Sequence, residues 1–187
     1  MPKEIAPDKI VVLSGAGISA ESGLQTFRDA DGLWHEYSIE DVATLEAWEK
    51  NPRLVLDFYN MIRAKVWDVE PNPAHLEIAQ LESKYNVVVI TQNVDNLHER
   101  AGSTHIIHVH GEITKACSSI DRSLIYDLGD TPIKIGDICE KGSQLRPAVV
   151  WFGEDILSYG VARQHFQTAA RVLVVGTSLS VSLFPSS

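Results

Sequence analysis

The run Ile10-Val11-Val12-Leu13, followed at once by Ser14-Gly15-Ala16-Gly17-Ile18-Ser19-Ala20, restricts this chain more than any other stretch. Apolar, mostly β-branched residues without polar alternation read as a strand buried on both faces, the habit of parallel sheets. The G-x-G-x-x-A pattern reads as a tight turn at Gly15, a bare backbone at Gly17 that can approach a pyrophosphate, and a small Ala20 that lets helix and strand pack closely. Phosphate at the N-terminus of the following helix is the expectation. A dinucleotide dehydrogenase then needs a second strand ending in an acidic residue about 20 positions further on. This chain has none there: Gly23 breaks the helix, and Gln25-Thr26-Phe27-Arg28-Asp29 and Asp31-Gly32-Leu33-Trp34 follow. A polar segment carrying Phe27 and Arg28 over a phosphate site reads as a lid.

Downstream, Val42, Leu45, Trp48, Val55, Tyr59, Ile62 and Val66 recur at three-and-four spacing, which predicts helix over Glu40–Asp68, divided at Asn51-Pro52, with Trp48 in the core. Asn72-Pro73 predicts an N-cap with Pro at the first helical position and a helix through Glu82. Four more strands are predicted, Asn86–Thr91, His105–His110, Ala148–Phe152 and Arg171–Val175, all in a parallel doubly wound sheet. Each ends in polar or glycine residues: Gln92-Asn93-Val94-Asp95, His110-Gly111-Glu112, Gly153-Glu154 and Gly176-Thr177-Ser178. Ligands of such sheets bind beyond the carboxyl ends of the strands, so five strand ends, with Gly15–Gly17, are expected to converge on one crevice. Asp95 is also placed to cap a helix over Asn96–Ala101, closed by Gly102.

The 187 residues suit one main domain with a smaller insertion. A formal net charge of −9 argues against nonspecific nucleic-acid or anionic-membrane binding and favours basic partners. Met1–Lys9 is polar, so no signal peptide is expected, and no apolar run reaches membrane length. Cys117 and Cys139 do not make a disulfide framework, so a reducing cytoplasm is the expected location, with a monomer the expected state.

GAGISAESG with TFRDADGLW, then QNVDNLHERAG, HVHG, VVWFGE and GTSL in that order, resembles the sirtuin family of NAD-dependent protein-lysine deacylases from Ile10 to about Leu179. The resemblance implies a Rossmann-like part, here 1–34, 71–114 and 147–187, and a small part made of two insertions, 35–70 and 115–146. It implies NAD as cosubstrate and acyl-lysine proteins or peptides as partners. The acyl-lysine amide oxygen then attacks the ribose carbon as nicotinamide leaves, giving an alkylimidate. His110 matches the catalytic histidine, an imidazole whose pKa suits a base near neutrality, while His108 shares its strand face. Asn93 and Asp95 match residues lining the nicotinamide and ribose pocket and stand with His110 as catalytic candidates. The cofactor-binding set expected from the match is Gly15, Ala16, Gly17, Ile18, Ala20, Thr26, Phe27, Arg28, Trp34, Gln92, Asn93, Asp95, His110, Gly176, Thr177 and Ser178. Val150, Trp151, Phe152, Gly153 and Glu154 match the segment that pairs its backbone with an extended substrate peptide.

Three departures shape the expectations. Many sirtuins hold zinc through two C-x-x-C pairs; here Cys117 is followed by Ser118-Ser119-Ile120 and Cys139 by Glu140-Lys141-Gly142, so no metal is expected. The chain also resembles class III bacterial members, which remove succinyl, malonyl and glutaryl groups: Ala43 widens an acyl pocket and Tyr59 offers a hydroxyl. The arginine of their Y-x-x-R pattern is replaced by Ile62, with Arg63 one position later and about 100° around the helix, turned away from the pocket. Ser180–Ser187 is off the family pattern. A deacylase is therefore the leading expectation, ahead of a catalytically weak NAD or ADP-ribose binding module and of mono-ADP-ribosyl transfer.

Overall fold

The computed structural model describes residues 4–24 and 37–178. Four strands form a parallel sheet in the order β3-β2-β1-β7: β1 Ala6–Ser14, β2 Asn86–Thr91, β3 Ile106–His108 and β7 Ala169–Val175. Val11 lies opposite Val88 on one side and Val172 on the other. Alternation sends Ile10, Val12, Val87 and Val89 to one face, against Ile18 and against Ile78 of the helix Pro73–Leu81. Val11, Leu13, Val88 and Ile90 go to the other, against Val109 and against Ala162 of the helix Tyr159–Thr168. Each such buried aliphatic side chain contributes roughly 1.5–3 kcal/mol of transfer free energy.

The helices in chain order are α1 Gly17–Ala20, α2 Ile39–Val42, α3 Leu45–Lys50, α4 Pro52–Trp67, α5 Pro73–Leu81, α6 Leu97–Ala101 and α7 Tyr159–Thr168. The break at Asn51-Pro52 is where the sequence puts it: the Asn51 side chain accepts from the Leu54 N–H, starting α4. A second break at Ala43-Thr44 divides the earlier turns into α2 and α3, because the Thr44 hydroxyl accepts from Ala47 N–H and restarts the helix. Asn72 caps α5 as expected, in a reciprocal box with His75.

The expected fourth parallel strand is corrected. β6 is Leu145–Val149, and it runs antiparallel to β4 Gly111–Ser118 in a separate sheet ordered β5-β4-β6, with β5 Ile125–Asp127. Its apolar run did not distinguish a strand of the parallel sheet from one buried in the second core. That core packs Val42, Ala43, Val55, Phe58 and Tyr59 from α2–α4 against Ile113, Val149 and Trp151. The part boundaries drawn at 114/115 and 146/147 fall inside β4 and β6.

Candidate active site

The loop Gln92-Asn93-Val94-Asp95 leaves β2 and is held by both backbone and side-chain hydrogen bonds. Gln92 N–H donates to Ser14 O at 2.9 Å and Ile113 N–H to Val94 O at 2.8 Å. Asn93 N–H donates to Thr91 Oγ1 at 3.1 Å, and Asn93 Nδ2 to Ser19 Oγ at 3.0 Å. Ser19 Oγ in turn donates to Asp95 Oδ2 at 3.0 Å. The other Asp95 oxygen accepts from Leu97 N–H at 3.1 Å, so Asp95 caps α6 through its first residue while Asn96 occupies the cap position. Gly102 closes that helix in the left-handed region, as expected. Burial raises the Asp95 pKa against the opposing pull of Leu97 N–H and Ser19.

His110 lies in the turn between β3 and β4 rather than on a strand. Gly111 forces that turn: its φ is +82°, and a Cβ there would sit 2.1 Å from Ala148 O. The His110 ring has Nδ1 3.0 Å from Gln92 O. A carbonyl oxygen only accepts, so Nδ1 carries the proton and the lone pair of the neutral ring falls on Nε2. Burial lowers the His110 pKa, partly offset by the Gln92 carbonyl, so the ring is neutral at physiological pH.

The glycine loop meets the sheet end by close packing. A Cβ on Gly15 would lie 2.6 Å from Thr177 Cβ, and one on Gly17 2.8 Å from Gly176 O. Gly176, at φ +65°, would put a Cβ 2.2 Å from Ile18 N. The three glycines therefore let residues 15–18 rest on 176–177, while Ile18 N–H donates to Gly15 O at 3.0 Å and closes the tight turn that starts at Gly15. Ala20 is corrected: α1 is a single turn, Ile18 and Ser19 are its buried residues, and Ala20 is exposed. Thr177 Oγ1 donates to Gln92 Oε1 at 2.9 Å, joining the ends of β7 and β2. Thr26, Phe27, Arg28 and Trp34 lie outside the described residues, as does Ser180–Ser187.

β6 reaches the same place by continuing past its end. Val150 N–H donates to His110 O at 2.8 Å and Phe152 N–H to Ala43 O at 3.0 Å. Trp151 N–H donates to Glu154 Oε2 at 2.9 Å. The N–H groups from Val150 to Phe152 are thus used within the chain, and a peptide strand laid here would be met by carbonyls. Phe152 is exposed, and Gly153 has φ +88°. Glu154, an expected substrate contact, turns inward: Arg146 Nη1 and Nη2 each donate to its carboxylate at 2.8 Å. The Arg146 guanidinium also stacks 3.6 Å from the Trp151 ring centroid. Burial raises the Glu154 pKa, but the Arg146 bond, the Trp151 N–H and the nearby cations bring it below the usual carboxylate range. Arg146 escaped the sequence reading; its trace there is an arginine eight residues before Glu154.

Tyr59 accepts at its hydroxyl from Trp151 Nε1 at 3.1 Å, and burial pushes its pKa up. Ala43 and Ile62 pack in the same cluster. Arg63 is fully buried: Nε donates to Ile113 O at 2.8 Å and Nη1 to Asn60 Oδ1 at 2.6 Å. It ties α4 to β4, and burial lowers its pKa to about 10.

The residues present do not fit a structural zinc. Cys117 donates its thiol hydrogen to Pro147 O at 3.8 Å, and burial raises its pKa. Cys139 Sγ lies 3.2 Å from Ser143 Oγ, which is 2.8 Å from Ser118 Oγ. Hydrogen bonds hold the turn where four thiolates would be needed.

The Sir2 family model matches residues 15–183. An NAD-dependent protein deacylase of Bacteroides thetaiotaomicron is 51% identical over 177 residues, 92% of this chain and 76% of that protein. A mutant Sir2 homologue solved with ADP-ribose has a TM-score of 0.84 at 40% identity, covering 93% of this chain and 72% of that one. A Sir2 homologue solved with NAD has a TM-score of 0.82 at 40% identity, with coverage of 93% and 70%. With the parallel sheet, the glycine loop resting on Gly176 and the histidine held on Gln92, these matches make the chain a member of the Sir2 family.

Proposed function

We propose that this chain removes acyl groups from protein lysines, consuming NAD, releasing nicotinamide and leaving the acyl group on ADP-ribose. The observation that carries the reading is the neutral His110 ring, its basic Nε2 set by the Gln92 carbonyl. The buried Asn93 Oδ1 and Gln92 Nε2, without partners among the described residues, supply an acceptor and a donor that fit a carboxamide. NAD supplies the electrophilic ribose carbon and carries off nicotinamide as leaving group. Gly15, Ala16, Gly17, Ile18, Gly176, Thr177 and Ser178 would hold its phosphates and ribose, and Asn93, Asp95 and Gln92 its nicotinamide end. His110 would take the proton from a ribose hydroxyl at Nε2, and the Gln92 carbonyl would steady the imidazolium that forms.

Phe152, exposed beside Ala43, and the carbonyls of Val150 and Phe152 would receive the acyl-lysine segment. A monomeric catalyst is the reading adopted, and the charge of −9 leaves nucleic acid and anionic membranes outside it. No helix among the described residues is long and apolar enough to cross a membrane; the paucity of cysteine supports a cytoplasmic location. Acetyl is the preferred acyl group, since Ile62 presents apolar wall where a carboxylate would need a cation.

The test is incubation with NAD and an acetyl-lysine peptide. Release of nicotinamide that depends on the peptide is the expected result. NAD binding without peptide-dependent turnover would replace the enzyme by a binding module.

A further inference from the structure

His108, two residues before the proposed base, is bonded in a way that fixes its charge. We infer that His108 is held as an imidazolium by Glu99 and acts as a positioning residue, fixing the Asn93 carbonyl and with it the loop that carries Asn93 and Asp95. The role rests on reading that loop as part of the NAD site.

The His108 side chain is 6% exposed. Its Nδ1 lies 2.9 Å from Asn93 O and its Nε2 2.7 Å from Glu99 Oε1. A carbonyl oxygen only accepts, so Nδ1 bears a proton. In a neutral ring Nε2 would then aim a lone pair at a carboxylate oxygen, and the pair is bonded only if one further proton sits between them. That proton belongs on the ring, because Glu99 is 38% exposed and water supports its ionised form. The groups facing His108 come from three elements: Glu99 and His98 on α6, Asp95 on the loop before it, and Glu112 and Lys115 on β4. Arg122 lines the same recess. Glu99, His108 and Glu112 converge within 4.8 Å, and Lys115 pairs with Glu112 at 2.9 Å. His98 adds no charge, since burial and its neighbours lower its pKa to about 4. Burial also lowers the His108 pKa, but the Glu99 bond and charge, the Asn93 carbonyl and Glu112 more than reverse this.

Two rings thus clamp consecutive carbonyls in opposite charge states. His110 grips Gln92 O in a ring that burial keeps neutral and basic; His108 grips Asn93 O and, with a carboxylate on its other nitrogen, is charged. When pH rises through the His108 pKa one proton leaves, and the Asn93 or the Glu99 bond goes with it. The expected consequence is an alkaline limb in kcat/KM for NAD, carried by KM more than by kcat, separate from the acid limb of His110.

Imidazole ¹⁵N NMR on the full chain, with His108 assigned through His108→Gln, tests the charge directly. Both His108 nitrogens should be protonated at pH 7 while His110 is neutral. Glu99→Gln keeps an acceptor and removes the charge; it should lower the His108 titration and the alkaline limb together by about one pH unit, leaving the acid limb in place. A neutral His108 at pH 7 in the parent, or an alkaline limb unmoved by Glu99→Gln, overturns the inference. Absence of any NAD-dependent turnover would defeat the functional reading instead, while the NMR titration still decides the state of His108.

Discussion

The proton on His110 Nδ1 is spoken for by Gln92 O, so the ring can act only through Nε2, and only when neutral. Because burial places its pKa below the ordinary value near 6.5, kcat/KM should rise with pH along a limb whose midpoint lies below that of a free imidazole. His110→Ala should cut turnover by about 10²–10⁴-fold with NAD affinity within a few-fold of the parent, since the glycine loop and Thr177 are untouched. Calorimetry with NAD beside peptide turnover checks both halves, and near-parental turnover would remove His110 from the role of base. Acyl choice is also decided by single side chains. Ile62 packs in the cluster of Ala43, Tyr59 and Trp151, and Arg63 is committed to Ile113 O and Asn60. A succinyl carboxylate entering there gains no guanidinium and still bears its desolvation cost. The parent should therefore deacetylate faster than it desuccinylates, and Ile62→Arg should narrow the gap mainly by lowering KM for the succinyl peptide. Paired kinetics on one peptide carrying either acyl group measure it; a parent that prefers succinyl-lysine refutes the assignment of Arg63 to the fold.

Between elements, the Arg146–Glu154 pair holds the end of β6 to the segment that passes His110 and Ala43. Both side chains are almost fully buried, and Glu154 also receives Trp151 N–H. Glu154→Gln would leave the Arg146 charge under-compensated, at a cost of about 3 kcal/mol, roughly a 10 °C fall in Tm. The folded-state carboxyl pKa is depressed, so this stability is present above the unfolded value near 4.3 and is lost as pH falls through the lower folded value. The Tm difference between parent and Glu154→Gln should then be full at pH 7 and shrink below about pH 4; a gap that stays constant would rule out the ion pair as its source. Nearby, the serine–cysteine hydrogen bonds leave no set of ligands for zinc, so a chelator should not move Tm and elemental analysis should find well under one zinc per chain. Sequence made part of this legible. Apolar β-branched runs announced β1, β2 and β7, and Asn51 and Asn72 announced their helices through local capping. The strand ends named Gln92, Asn93, Asp95, His110 and Thr177, all of which the structure gathers. Hidden were the antiparallel pairing of β6 and the inward turn of Glu154. Pairing partners and ion pairs depend on residues distant in the chain, such as Ile113 for Arg63, and no local pattern encodes them.

Across the whole molecule, the parallel sheet is covered unevenly. β1 and β2 are buried on both faces, whereas β7, last in the strand order, pairs among the described residues with β1 on one side only. Val172, Leu173 and Val174 are 46%, 40% and 47% exposed. Successive strand residues point to opposite faces, so among the described residues apolar surface lies on both sides of this edge. Such an edge is a template for pairing with another chain. The acidic charge of −9 opposes association at low salt, and screening removes that protection as the Debye length falls to about 3 Å at 1 M salt. The described residues should therefore make a protein that is monomeric when dilute and scatters light above a threshold concentration, with the threshold lower in high salt. Val172→Lys with Val174→Lys puts two charges on one face of the edge while β1 keeps its hydrogen bonds. The double variant should raise the onset concentration several-fold and change Tm by only a few degrees, because both positions are already half in water. Light scattering against concentration at two ionic strengths is the measurement. An onset that is the same in parent and variant would show that this edge is not where the copies meet.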